Sequence, residues 1–185
     1  EFSGGAFSPG GAFSPDGKDI CFVRNTDPEL NISLGTNNDL FITPIGGGTI
    51  RQITSNRAND NSPHYSPDGQ YIAYRAMARP GFEADKYSLC LYDLNTQKKS
   101  NLTEKLDISV NDIFWSADSS TLYISFQDKG RISVGKIPLR NKKFETILHG
   151  HYISSPSISS DGKKLIFLKQ VINRPADIFS FDLKT

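Results

Sequence analysis

Four aspartates recur in one setting along this chain, and they are its first candidates for chemistry. Asp16-Gly17, Asp68-Gly69, Asp118-Ser119 and Asp161-Gly162 each stand two residues after a serine, in Ser-Pro-Asp-Gly or a near copy of it. Carboxylates could serve as acid and base or ligate a metal. A turn is the simpler reading. Proline presets φ at the second position, aspartate accepts from nearby backbone amides, and glycine takes the left-handed conformation that closes a hairpin. The third copy, Trp115-Ser116-Ala117-Asp118-Ser119, keeps only the serine and the aspartate, so a looser turn is expected there. Equivalent turns in separate repeats are expected to lie far from one another, which argues against a shared site.

Other reactive groups are sparse. The histidines are His64, His149 and His151. His64 precedes a repeated turn and reads as a strand residue. His149-Gly150-His151 has no neighbouring cysteine or further histidine to complete a metal site, so it reads as a surface connection. Asn25 to Asn31 lacks the glycine and terminal glutamate of a calcium loop. No Gly-x-Ser-x-Gly nucleophile elbow occurs, and no serine, aspartate and histidine fall in a strand-turn-helix setting. No catalytic residue, metal site or cofactor is expected in this stretch. Cys21 and Cys90 sit in apolar runs of different repeats and are expected as free buried thiols, with a disulfide between them as the alternative. The longest interruptions between expected strands are Asn25–Asn38 and Met77–Lys86. The second holds Arg79, Glu83, Asp85 and Lys86 around Phe82, and function concentrates on loops carried by a rigid scaffold. The plain alternative is a solvated charged loop, or a salt bridge to Arg79.

The bulk numbers narrow the classes. With 21 basic and 20 acidic residues among 185, the net charge is +1 and no basic stripe points to nucleic acid. Apolar runs fall far short of the ~20 residues that cross a bilayer as a helix, so no membrane partner is expected. No secretory leader opens this stretch, and periplasmic, secreted and cytoplasmic locations all stay open. Residues 1–11 read as a tag or a disordered leader, since Ala6 to Gly10 echo Ala12 to Gly17. The sequons Asn31-Ile32-Ser33 and Asn101-Leu102-Thr103 carry no weight without a compartment.

What positions these residues is an array of short strands. The repeated aspartates lie 52, 50 and 43 residues apart, the period of β-propeller blades of about 40–50 residues. The runs between the turns are β-branched and aromatic, bounded by Gly, Pro, Asn and Asp, and too short for helices. The expected fold is all-β, a partial propeller of about four blades at 12–54, 62–103, 109–148 and 153–185, each a short antiparallel sheet. The last is expected to lack its fourth strand, which suggests a piece of a longer chain. Phe13, Tyr65, Trp115 and Ile158 share one repeat position and are expected in the blade cores.

Several segments go further. Tyr74 to Lys86, with Gly81-Phe82-Glu83-Ala84-Asp85 at its centre, resembles a loop in the propeller of prolyl-oligopeptidase-family serine peptidases, in the branch of dipeptidyl and acylaminoacyl peptidases. Asn101-Leu102-Thr103, Asp107 to Val110, Trp115 to Ser119, Asp128-Lys129-Gly130 and Asn173 to Phe179 follow in the order of that family. Gly46-Gly47-Gly48 leading into Arg51-Gln52-Ile53-Thr54 is shared more widely, including with Tol-type propellers. The resemblance implies a propeller capping an α/β-hydrolase domain of the same parent chain and admitting short peptides to it. It implies that Glu83, with Asp85, binds the substrate's N-terminus, since an ammonium offers three donors for charge-assisted hydrogen bonds. The competing reading is a Tol-type propeller acting as a protein-interaction module. A sialidase is disfavoured because its repeats carry a Thr-Trp that these lack, and an oligogalacturonate lyase because its histidine metal site is absent.

Overall fold

The structure is a computed structural model that describes residues 10–27, 35–159 and 161–183. Residues 1–9, the Asn31 sequon and the middle of the Asn25–Asn38 interruption lie outside them. The described residues contain no helix. They form four successive antiparallel sheets, the blades of an all-β propeller fold. Blade 1 is β1 (Ala12–Phe13), β2 (Asp19–Asn25), β3 (Asn38–Pro44) and β4 (Arg51–Gln52), and blade 2 is β5 (Asp60–Tyr65), β6 (Tyr71–Ala76), β7 (Ser88–Asp93) and β8 (Lys99–Asn101). Blade 3 is β9 (Ser109–Trp115), β10 (Thr121–Asp128), β11 (Arg131–Pro138) and the first part of β12 (Glu145–Ile158). Blade 4 is the remainder of β12 with β13 (Lys164–Val171) and β14 (Arg174–Asp182).

The repeated turn is one hydrogen-bond unit used four times. In each, the serine hydroxyl donates to the aspartate at 2.6–2.7 Å and accepts from the N–H five residues on. The aspartate in turn accepts the N–H of Lys18, Gln70, Ser120 or Lys163. The Ser14 hydroxyl, then the Lys18 N–H, hold the Asp16 carboxyl down to about 2. The Ser116 and Ser159 hydroxyls do the same, in direction, for Asp118 and Asp161. Left-handed residues close the turns, with φ of 70°, 71°, 60° and 71° at Gly17, Gly69, Ser119 and Gly162. The third turn is therefore not looser. Ser119 adopts the conformation without being glycine, and the Ser120 hydroxyl adds contacts to both Asp118 oxygens at 2.9 Å. Nor are the turns far apart: a Cβ at Gly69 would lie 3.8 Å from Pro15, and one at Gly162 3.7 Å from Ala117. The first turn touches the second, and the third the fourth, because in each pair the strands they join lie in adjacent blades. Their aspartates remain turn builders, since their oxygens are engaged locally.

A second repeated unit, not anticipated from the sequence, closes the blades. Leu40 in β3 and Leu89 in β7 are fully buried. Each carbonyl accepts the N–H of an aliphatic residue, Ile53 or Leu102, at 2.8 Å. Each N–H donates to the hydroxyl of the next residue, Thr54 or Thr103, at 2.9 Å and 14 residues along the chain. The aliphatic–threonine pair thus straps the outer edge to the blade, and the Asn101-Leu102-Thr103 sequon is part of that strap. In blade 3 fully buried Val134 pairs Leu148 at the same interval, without a threonine.

The chain divides into two compact units, Glu1–Glu104 and Lys105–Thr185. In the first, Cys21, Leu40, Ile42 and Ile53 of blade 1 form one core with Ile72, Tyr74, Cys90 and Tyr92 of blade 2. Alternate residues of each strand meet the neighbouring blade, and full burial of each such side chain contributes about 1.5–3 kcal/mol. Cys21 and Cys90 are free, buried thiols, pushed up to about 12 by desolvation. In the second unit Tyr123 and Val134 pack with Ile153, Leu165, Phe167 and Leu183. Of the shared repeat position, Tyr65 and Ile158 pack against these cores and Trp115 is half-buried. Phe13 departs from expectation at 67% exposed, because two-residue β1 is too short to carry it under a neighbour. The break expected between 148 and 153 is absent: β12 continues through it and changes partner from β11 to β13. Left-handed Ser62 and Ser155 accompany register shifts in β5 and β12, four residues before Ser66 and Ser159.

Candidate functional site

The loop between β6 and β7 is built around Asp85. Gly81, at φ 67°, turns the chain after Arg79-Pro80, and the Asp85 N–H donates to the Phe82 carbonyl at 3.0 Å. The buried Asp85 carboxylate accepts the N–H groups of Ala78 and Arg79 at 2.9 and 2.8 Å on one oxygen. Its other oxygen takes Nε and Nη2 of Arg79 at 3.0 and 2.9 Å. Burial pushes this carboxyl up, but the Arg79 and Ala78 N–H groups and the Arg79 guanidinium outweigh it and hold it below the usual carboxylate range. The guanidinium carbon also lies 4.1 Å from the centroid of the Phe82 ring, a cation–π contact that stiffens the loop tip.

Glu83 sits on this frame and is exposed. No hydrogen bond or ion pair engages it among the described residues, whereas the salt bridge to Arg79 is made by Asp85. The two predicted carboxylates are thus two residues apart in chain and different in state. One is consumed by the loop and the other is presented. Lys86 reaches the Glu104 carbonyl at 3.5 Å.

At the root of the loop lies a polar cluster that sequence reasoning missed. The Arg75 guanidinium stands 4.6 Å from the centroid of the Tyr87 ring and donates to Asn61 at 2.9 Å. Asn59 and Asn61 both donate to the Tyr87 hydroxyl, and Asn38 and Asn61 to the side-chain oxygen Oδ1 of Asn59. Asparagines crowding the stretch from Asn56 to Asn61 were the available signal. Beneath them lie two buried carboxylates. Asp39 accepts from Thr26, Gln52 and Thr54, and Asp60 from Asn56. Desolvation raises both, Asp60 to about 6.

Exposed His64 lies in β5, and His149 is exposed in β12, whereas the side chain of His151 lies outside the described residues. Among the described residues no group of three or more His, Cys, Asp or Glu is placed to hold a metal. What the loop presents to solvent is therefore the Glu83 carboxylate, with Asp85 engaged beneath it.

No family model matches the chain. A dipeptidyl-peptidase 5 of Porphyromonas gingivalis is 30% identical over 138 residues, covering 74% of this chain and 20% of that protein. One from Porphyromonas endodontalis is 30% identical over 170 residues, covering 91% and 24%. The chain thus spans about a fifth to a quarter of the length of these relatives. Among solved structures, a puromycin-hydrolyzing peptidase of Mycobacterium tuberculosis matches with a TM-score of 0.72 at 16% identity, over 93% of this chain and 29% of that one. TolB of Acinetobacter baumannii matches with a TM-score of 0.67 at 18% identity, over 93% and 40%. Those two likenesses speak to the fold. By sequence the chain belongs with the dipeptidyl-peptidase 5 proteins, over a stretch that folds as β-propeller blades.

Proposed function

We propose that this chain is the non-catalytic propeller part of a serine exopeptidase, gating and orienting short peptides for an α/β-hydrolase domain of the same parent. In this reading Glu83 receives the free N-terminal ammonium of the substrate, and Asp85 is the positioning residue that holds the loop beneath it. The observation that carries the reading is the contrast within the loop. Asp85 spends its oxygens on four donors, while Glu83 stands exposed without a partner beside them. An unpartnered carboxylate on a stiff support suits an ammonium, because little ordering remains to be done on binding. The Tol-type reading has the fold in its favour but no feature of this loop.

In the full-length peptidase, Glu83→Gln is expected to raise KM for dipeptidyl substrates by about tenfold, with kcat changed much less. Steady-state kinetics on the purified enzyme checks this. A KM equal to that of the wild type would remove Glu83 from the substrate site.

A further inference from the structure

Where the first two repeated turns meet, blades 1 and 2 enclose a cavity of about 250 Å³, walled by those turns and by Ile42, Tyr65 and Leu94. Both blades carry all four strands. The cavity lies at the start of β6, whereas the Met77–Lys86 loop leaves its far end, so the two are separate. Three groups facing it are not consumed by the fold. The Tyr65 hydroxyl is buried and meets no hydrogen-bond partner among the described residues, although buried polar groups are ordinarily paired. Among the same residues no hydrogen bond or ion pair engages the half-buried Asp19 carboxylate. Exposed Arg51 gives Nη1 to the Tyr92 hydroxyl at 3.1 Å and has no carboxylate at ion-pair distance among them. Burial first, then Cys21 and Asp19, push the Tyr65 phenol above its ordinary value, and Arg51 pulls the other way, so both charges act on this hydroxyl. By contrast Asp16 and Asp68 accept from the serine and an N–H of their own turns, and Asp16 pairs with Lys18 at 3.1 Å.

We propose that this cavity is a binding site for a free dipeptide in its zwitterionic form, with the ammonium on Asp19 and the carboxylate on Arg51 and the Tyr65 hydroxyl. Only a ligand carrying both charges uses all three groups at once, and charge-assisted hydrogen bonds at its two ends are strong ones. A metal ion is a poor occupant, since among the described residues no three carboxylates are placed to hold one. The sheet register sets the span. Cys21 pairs with Ile42 and Ile42 with Arg51, while Asp19 stands two residues before Cys21 on the same face. Two strand spacings and two residues along a strand put the Asp19 and Arg51 Cα atoms about 12 Å apart. With both side chains turned into the cavity, the remaining gap suits the two termini of a dipeptide better than the adjacent charges of one amino acid. The volume equals about eight waters, room for two small residues and not for a longer peptide. Pro15, Ile42 and Leu94 give their side chains an apolar wall. The site is independent of what Glu83 binds. Free dipeptides are what an exopeptidase of the proposed kind releases, and that link alone rests on the proposed function.

The test adds alanylalanine to the full-length peptidase. At millimolar dipeptide, amide hydrogen exchange in segments 14–21 and 65–72 is expected to slow by at least about threefold. That slowing should persist in Glu83→Gln and be mostly lost in Asp19→Asn and in Tyr65→Phe. N-acetylated alanylalanine, which lacks the ammonium, should slow these segments little. Tyr65→Phe should match the wild type in urea unfolding, because its hydroxyl has no partner to lose, and this separates lost binding from lost folding. No slowing by alanylalanine, slowing that survives both substitutions, or a Tyr65→Phe enzyme less stable than the wild type overturns the proposal. So does slowing that vanishes in Glu83→Gln, since the dipeptide would then be held at the substrate loop.

Discussion

Replacing Thr103 with valine is expected to lower stability by about 2 kcal/mol, and the same change at Thr54 by about 3 kcal/mol. Valine has nearly the shape of threonine, so neither change opens a cavity. What is lost is an acceptor. The Leu89 N–H donates to the Thr103 hydroxyl in a fully buried position, and no water can replace that oxygen. Thr54 has a second duty: while accepting from Leu40 it donates to Asp39 at 3.1 Å. Its loss strips a donor from a buried carboxylate whose desolvation is only partly offset by Thr26, Thr54 and Gln52. Equilibrium urea unfolding of the two variants and of Thr103→Ser checks the account. Serine keeps the hydroxyl and should lose less than about 1 kcal/mol. A loss for valine at 103 no larger than that for serine would show that the hydrogen bond contributes no more than the methyl there, against this account.

Stability is expected to fall as pH rises from about 4 to about 6, against the usual trend for carboxylates. Asp60 is fully buried, and desolvation lifts its folded pKa to about 6 despite hydrogen bonds from Asn56 and Thr54; the charge of Asp39 raises it further and that of Lys99 lowers it. An unfolded aspartate titrates near 3.9. Below that value both states hold the proton and nothing is lost. Between about 4 and 6 the unfolded chain gives up its proton first, so the folded state loses ground by up to about 3 kcal/mol, and above 6 the difference is constant. Asp39, raised by desolvation as well, acts in the same direction. The turn aspartates are lowered by their hydrogen bonds, so their stabilising effect disappears only at more acidic pH and does not mask this window. Urea unfolding of wild type and Asp60→Asn at pH 4.5 and 7 tests it, and the variant should show a flatter slope between the two. A wild type that gains stability over that interval would be inconsistent with a buried, proton-holding Asp60.

The blade order was legible because turn chemistry is local. A serine, an aspartate two residues on and a left-handed residue after it specify their own hydrogen bonds wherever they stand. Sequence reasoning went astray where a neighbour decides. The third turn looked defective without proline and glycine, yet the Ser120 hydroxyl supplies what the motif lacks. The strap was visible as Gln52-Ile53-Thr54 and Asn101-Leu102-Thr103, but its meaning lies in a partner 14 residues back on another strand. Period alone placed a boundary near residue 150, where β12 exchanges partners without a break. At the candidate site, the pair Glu83 and Asp85 was found from charge and loop length. That one of them is consumed by Ala78 and Arg79 needed coordinates. The asparagine cluster below the loop was missed because neutral amides carry no charge or periodicity to flag them.

Substrate discrimination by the full-length peptidase bears most directly on the central claim, that an exposed propeller carboxylate reads the free end of a peptide. The ratio of kcat/KM for a dipeptidyl substrate to that for its N-acetylated analogue should drop by about tenfold in Glu83→Gln, because only the free amine can use the carboxylate. A ratio unchanged by the substitution would mean that the N-terminus is recognised elsewhere and that the Asp85-braced loop serves the blade alone.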